Sequence, residues 1–202
     1  MSSCKKIKDF TPISKLERLI ILDFRDTNIS DISFLEKIKN ILSLRLMSCK
    51  KNKDFTPITQ LELLEDLDVS DTNISDISFL EKNKNIKKLN LEWCKNIKDY
   101  SIISKLEKLE NLNLCYTNIC DISFLKKNKN IKELNLEECK NIKYYSIISN
   151  LEKLENLYIC SISDISFIEK NKNIKVLNFR ECKNIKDYSF ISKLEKLEKY
   201  KF

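Results

Sequence analysis

The apolar residues of this chain follow two spacings that alternate along its length. In Leu64-x-x-Leu67-x-Val69 and Ile86-x-x-Leu89-x-Leu91 the last apolar pair straddles a polar residue, the two-residue period of a strand with one buried face. Leu89 and Leu91 therefore point inward, and Asn90 and Glu92 outward. Past each strand the spacing changes to threes, with residues such as Ile29, Ile32 and Leu35 placed to close the core from the opposite side. Read alone, Ser104-Lys105-Leu106-Glu107-Lys108-Leu109 suggests an amphipathic helix, because leucine recurs every third residue. Regularity over longer distances argues instead for stacked units.

That regularity is a repeat. Asp-Ile-Ser-Phe occurs at Asp31, Asp76, Asp121 and Asp164, at intervals of 45, 45 and 43 residues. A second phrase interleaves with it: Asp9-Phe10-Thr11-Pro12-Ile13 becomes Asp54-Phe55-Thr56-Pro57-Ile58, then Asp99-Tyr100-Ser101-Ile102-Ile103, Tyr144-Tyr145-Ser146-Ile147-Ile148 and Asp187-Tyr188-Ser189-Phe190-Ile191. Each long period thus holds two shorter units. They start at Leu19, Ile41, Leu64, Ile86, Leu109, Ile131, Leu154 and Ile174, with lengths of 22 and 23 in alternation, except for the 20 residues from Leu154 to Ile174. The two missing residues lie near Cys160 and Ser161, where the Thr of the Thr-Asn-Ile phrase is absent and a pinched turn is expected. Residues 1–202 read as a single domain, with partial units at 1–18 and 197–202.

Leu64-x-x-Leu67-x-Val69-x-x-Thr72-x-Ile74 and Ile86-x-x-Leu89-x-Leu91-x-x-Cys94-x-x-Ile97 resemble leucine-rich repeats. Thr replaces the consensus Asn in the first type and Cys is present in the second. The Thr-Asn-Ile-Ser-Asp-Ile-Ser-Phe-Leu phrase is similar to the short repeats of bacterial internalins and of the protein-phosphatase-1 regulatory-subunit class, and the resemblance covers nearly the whole chain. It implies an α/β fold: a right-handed leucine-rich-repeat solenoid, horseshoe or arc, with a parallel β-sheet on the concave face and short helical, 3-10 or extended segments on the convex face. It also implies that the ninth-position Thr or Cys hydrogen-bonds the backbone of adjacent turns, that a partner protein binds the concave sheet, and, by analogy, that a phosphatase is one such partner.

Eight cysteines would suggest four disulfides in a secreted chain, but Cys4, Cys49, Cys94, Cys139 and Cys182 recur at 45, 45, 45 and 43 residues and so mark the repeat. Standing in alternate units, they should lie about 9.6 Å apart at the usual strand spacing, beyond the disulfide reach of about 7 Å. They read as buried, reduced thiols. Cys115 and Cys160, assigned to outward positions, and Cys120, in a turn, are the candidates for thiol reactivity.

The chain contains neither Gly nor His. Missing Gly excludes a P-loop, a dinucleotide fingerprint and a nucleophile elbow; missing His excludes Ser-His-Asp and Cys-His pairs and His-bearing zinc sites. Paired carboxylates such as Glu137 with Glu138, or Asp66 with Asp68, sit on an open sheet where nothing excludes water. No catalytic, cofactor or metal residue is assigned, and the protein is expected not to be an enzyme. The N-terminus lacks an apolar core for a signal peptide, and no uncharged stretch approaches about 18 residues. Together with the thiols this suggests a cytoplasmic protein. Ala is absent while Lys, Asn and Ile dominate, residues with adenine- and thymine-rich codons, so a biased genome accounts for much of the net charge of +7.

Outward positions on the strands carry ten acids, among them Asp66, Asp68, Glu92, Glu137 and Glu138, against Arg25, Arg45, Lys88 and Arg180. The expected binding face is therefore acidic in a basic chain. Trp93, Tyr116 and Tyr158 lie on it, and aromatics with acidic neighbours suit a basic protein surface. The alternative is that Trp93 shields the adjacent ladder and Tyr158 covers a strand pair. Asn90, Asn113, Asn135 and Asn178 form a polar row, read as structural, and Tyr100, Tyr145 and Tyr188 are assigned to the convex core. Clusters such as Lys50-Lys51-x-Lys53, Lys82-x-Lys84 and Lys126-Lys127-x-Lys129 make nucleic acid or an anionic membrane the alternative partner, although no aromatic interleaving accompanies them. Solenoid ends need protection, and none is evident. Three readings stay open: Lys199 and Lys201 guard the edge, the ends pair with something, self-association included, or the sequence is a piece of a longer array.

Overall fold

The computed structural model describes residues 7, 9–182, 185 and 187–201; Cys4 and Phe202 lie outside them. The described residues form one sheet of nine parallel strands in sequence order: β1 (Ile21–Asp23), β2 (Ser43–Arg45), β3 (Asp66–Asp68), β4 (Lys88–Asn90), β5 (Asn111–Asn113), β6 (Glu133–Asn135), β7 (Asn156–Cys160), β8 (Val176–Arg180) and β9 (Lys199–Lys201). Five-residue 3-10 turns alternate with them on the other side. The register is uniform: Leu22, Leu44, Leu67, Leu89, Leu112, Leu134, Leu157 and Leu177 stand in one column, which ends at Tyr200. The column of leucines is the inner wall of a continuous core, closed on the convex side by residues such as Ile32, Leu35, Ile77 and Leu80, all at most 1% exposed.

Most strands are only three residues long, and in five units the fifth position bends the chain out of the strand. The side-chain oxygens of Asp23, Asp68, Asn90, Asn113 and Asn135 accept the backbone N–H two residues ahead at 2.9–3.1 Å. A β-turn follows. The N–H of the ninth residue donates to the carbonyl of the sixth, as in Cys94 to Leu91 and Thr117 to Leu114. Its third residue has positive φ in every complete unit: Asp26, Ser48, Asp71, Trp93, Tyr116, Glu138, Ser161 and Glu181, at 50–61°. Turns of this kind usually place Gly there, and this Gly-free chain does without it. Stack hydrogen bonds hold the position, with Trp93 N–H donating to the Cys115 carbonyl at 2.9 Å and Tyr116 N–H to that of Glu137 at 3.0 Å.

The ninth position points back into the core. Thr72 Oγ1 donates to the Val69 carbonyl at 2.7 Å, and Cys94 Sγ of the next unit donates to the same oxygen at 3.2 Å. Thr117 and Cys139 share the Leu114 carbonyl in the same way. The ladder thiols Cys49, Cys94, Cys139 and Cys182 are at most 5% exposed, and the described cysteines are all free. On the convex side Asp-x-Ser or Asp-x-Thr opens the 3-10 turns, Asp76 Oδ1 accepting the Ser78 N–H at 2.8 Å. A second ladder follows them. Asn83, Asn128 and Asn171 are fully buried, each donating from Nδ2 to two carbonyls of the preceding unit at 2.8–3.1 Å.

The shortened unit behaves differently on one side only. Tyr158 has no side-chain carbonyl to bend the strand, and β7 and β8 run five residues and pair as far as Cys160 and Arg180. Ile162 stands where Thr is lost, and Cys182 Sγ accepts its N–H at 3.5 Å. Ser161 keeps the positive φ of the other units, 56°, at the bend that follows.

Candidate functional site

The residues singled out for binding fall into three groups. Trp93 and Tyr116 are not on the strands but just past them, at the rim of the sheet. The positive φ of both turns their rings into register, and they stack with centroids 4.0 Å apart and planes 9° from parallel. They are 40% and 37% exposed, a solvated aromatic pair on a backbone conformation that bulky residues avoid. Lys95 Nζ lies over the Trp93 ring, 4.5 Å from its centroid.

Glu92, Glu137 and Glu138 surround this pair, each tied to its own chain. Glu92 accepts from Asn113 Nδ2 at 3.1 Å, and Glu137 from Asn178 Nδ2 at 2.7 Å. Glu138 pairs with Lys140 at 2.8 Å. Partial burial holds the Glu137 carboxyl above its ordinary range, Glu138 and Glu92 adding to the effect and Arg180 opposing it. The Tyr116 hydroxyl is pushed up too, by desolvation first and by Glu138 next.

Tyr158 stands apart, half-buried on β7 and in register with Asn135 and Asn178. Burial is again the main cause of its raised pKa, with Glu133 and Glu137 behind it. Asp66 and Asp68 form the third group on β3. With Arg25, Arg45 and Lys88 they border a shallow trough of about 350 Å³ on the concave face. Ser43 Oγ donates to Asp66 at 3.3 Å, and Ser70 uses both its N–H and its hydroxyl on Asp68.

Two cysteines differ from expectation. Cys115, just past β5, and Cys160, the last residue of β7, are 5% and 7% exposed. Burial pushes the Cys115 thiol up to about 12, with Glu92 and Glu137 reinforcing it. Among the described thiols only Cys120 is exposed. Tyr100 is buried as expected, but Tyr145 is half-buried and Tyr188 is 39% exposed.

The lysine-rich edge is also shaped. Lys95, Lys98, Lys126 and Lys127 border a groove of about 910 Å³ floored by Ile97, Tyr100 and Phe124, with Asp99 and Asp121 on its rim. Elsewhere lysines are spent within the stack: Lys87, Lys132 and Lys175 pair with Glu65, Glu110 and Glu155 at 2.7–2.9 Å, and Lys105 pairs with Glu81. Among the described residues no three His, Cys, Asp or Glu side chains converge to hold a metal, and no helix is long and apolar enough to cross a membrane.

Sequence reasoning missed the positive-φ column, the buried asparagines and the seat of Lys95. The asparagines had a signal, since Asn83, Asn128 and Asn171 keep the 45- and 43-residue spacing. Lys95 had none beyond standing two residues after the only Trp.

Parallel strands one per unit, buried leucines and a Thr/Cys position define a leucine-rich-repeat solenoid. The family model described as At1g61320/AtMIF1, LRR domain, matches residues 75–200, and the chain belongs to the leucine-rich-repeat family. The BspA type leucine rich repeat region model matches residues 1–98. No curated protein matches the sequence. Among solved structures, the internalin InlF of Listeria monocytogenes superposes with a TM-score of 0.83 at 23% identity, covering 98% of this chain and 58% of its own. Internalin C2 of the same bacterium gives 0.84 at 24% identity, covering 93% and 82%. The functional domain of InlJ, which includes a cysteine ladder, gives 0.51 at 18% identity, covering 95% and 55%. This chain thus spans little more than half the length of InlF.

Proposed function

We propose that this protein is a cytoplasmic, non-catalytic scaffold that binds a partner protein through its concave sheet and the adjoining rim, using Trp93, Tyr116, Tyr158, Glu92, Glu137, Glu138, Asp66 and Asp68. The carrying observation is the Trp93–Tyr116 stack, exposed, rigidly held, and ringed by carboxylates. Large aromatics of this kind anchor interfaces. Solenoids of this family offer their sheet face to partners, and a basic protein surface suits the carboxylates. A phosphatase would be one such partner by family analogy alone. The acids on this face make hydrogen bonds and ion pairs with their own chain, which supports a non-catalytic role.

The test is an affinity pull-down from reduced, nuclease-treated lysate with wild type, Trp93→Ala/Tyr116→Ala and Lys126→Ala/Lys127→Ala, with circular dichroism to show that all three fold. The expected result is a protein retained by wild type and the lysine variant and reduced at least tenfold with the aromatic variant. Equal retention by all three overturns the assignment. The groove bordered by four lysines supports a second reading, an anionic partner such as nucleic acid. Under that reading the lysine variant alone loses binding, with a steep salt dependence before nuclease treatment.

A further inference from the structure

Ser48, Asp71, Trp93 and Tyr116 follow one another in the positive-φ column, so the Trp93 ring has one face toward Tyr116 and the other toward Asp71. Tyr116 covers the first face at 4.0 Å. Lys95 Nζ lies over the same ring, 4.5 Å from its centroid. The side toward Asp71 is a shallow depression in the surface. Its volume is about 450 Å³, and it is lined by Met47, Ser48, Ser70, Asp71, Glu92 and Trp93.

We propose that this depression takes the guanidinium of an arginine from the partner protein, laid flat on the indole, and that Lys95 is a tethered competitor for the same ring. The proposal rests on the concave-rim reading above and gives it a chemistry. An indole face with two carboxylates beside it attracts cations, and the ring already holds one. Planarity favours guanidinium over ammonium: stacked on the ring, it still directs N–H groups outward at its edge toward Asp71 and Glu92. Asp71 is preset for this by Ser48 Oγ and Lys50 Nζ, each at 2.9 Å, and Glu92 by Asn113. Trp93 itself needs no ordering on binding, because its backbone is pinned to Cys115 and its ring to Tyr116. Lys95 leaves the ring without breaking an ion pair to it, so exchange costs little more than the contact it gives up.

The experiment measures binding of a fluorescein-labelled hexa-arginine peptide by anisotropy at fixed salt to wild type, Lys95→Met, Lys98→Met and Trp93→Leu, with hexa-lysine as comparison. Freeing the ring with Lys95→Met should tighten hexa-arginine binding about five-fold, while Lys98→Met, which removes the same charge from the same edge, changes it less than two-fold. Trp93→Leu, confirmed folded by circular dichroism, should weaken it five- to ten-fold. Hexa-lysine should bind less tightly than hexa-arginine. Equal effects of the two lysine substitutions, or a Trp93→Leu protein that binds like wild type, overturn the proposal. If that happens while Trp93→Ala/Tyr116→Ala still loses its partner in the pull-down, the concave-rim reading stands and the arginine site alone falls.

Discussion

The unit that begins at Leu64 and the one that begins at Leu154 bury the same leucine column and carry the same 3-10 turn, yet they leave the sheet in different ways. In the first, Asp68 captures the Ser70 N–H, β3 stops after three residues, and Thr72 and Cys94 share one carbonyl in the core. In the second, Tyr158 captures nothing, the Thr is missing, and β7 runs on to Cys160. The neighbours adjust. Glu138 N–H donates to Cys160 Sγ at 3.0 Å, where the equivalent groups of Asp71, Trp93 and Tyr116 reach a backbone carbonyl. Asn178, which has the acceptor to end its own strand, stays paired with β7 and spends its Nδ2 on Glu137 instead. In the Leu64 unit a polar side chain ends the strand and in the Leu154 unit none does, while the leucines set which face is buried in both.

The largest test of this contrast is alkaline pH. Burial pushes the ladder thiols Cys94 and Cys139 up to about 11, and Cys115 to about 12, from an ordinary value of 9.0. The folded state holds these protons more tightly than the unfolded chain. Their stabilisation is therefore complete below pH 9 and is lost as the pH rises from 9 through 11, by roughly 2 kcal/mol for each thiol. Urea midpoints between pH 8 and 10.5 should fall steeply, and Cys139→Ser should flatten the fall. The same change at Cys182, whose thiol lacks a Thr partner and is raised by burial without such a large effect, should flatten it less.

Next in size are the buried asparagines. Asn128→Ala and Asn171→Ala each strand two carbonyls in the core and should cost about 2–4 kcal/mol in chemical denaturation. Because the deletion touches only the rim side, the two costs should agree. A clearly smaller loss for Asn171→Ala would show that the shortened unit is loosened throughout its thickness.

The smallest effect is a gain. Ser161 carries positive φ without Gly's freedom, so Ser161→Gly should stabilise by about 0.5–1 kcal/mol in calorimetry. Ser48→Gly should gain less, because it also removes the 2.9 Å hydrogen bond from Ser48 Oγ to Asp71.

Much of this molecule could be read from its spacing. Leu-x-Leu pairs announced the strands, the 45-residue phrases announced two unit types, and the missing Thr near Ser161 located the irregular unit, where the strands run on to Cys160 and Arg180. Of the row read as structural, Asn90, Asn113 and Asn135 each bend their own strand, whereas Asn178 stays within the longer β8 and donates to Glu137. The candidate site was legible only as a set of residue types. That Trp93 and Tyr116 stack, that Tyr158 stands apart from them, and that Cys115 and Cys160 are covered could not be seen in advance.

The sequence by itself determined which strand residues face the core, because within a strand inward and outward follow from local period alone, but past the Leu-x-Leu pairs it misplaced Cys115, Cys160 and Tyr188. Only the tertiary structure decided who meets whom between units. The positive-φ turn aims the eighth side chain along the stack, and no Gly marked that turn in the chain. Bringing Lys95 and Tyr116 onto Trp93 takes both the register of neighbouring strands and the twist of that backbone position, and neither is a property of any one segment.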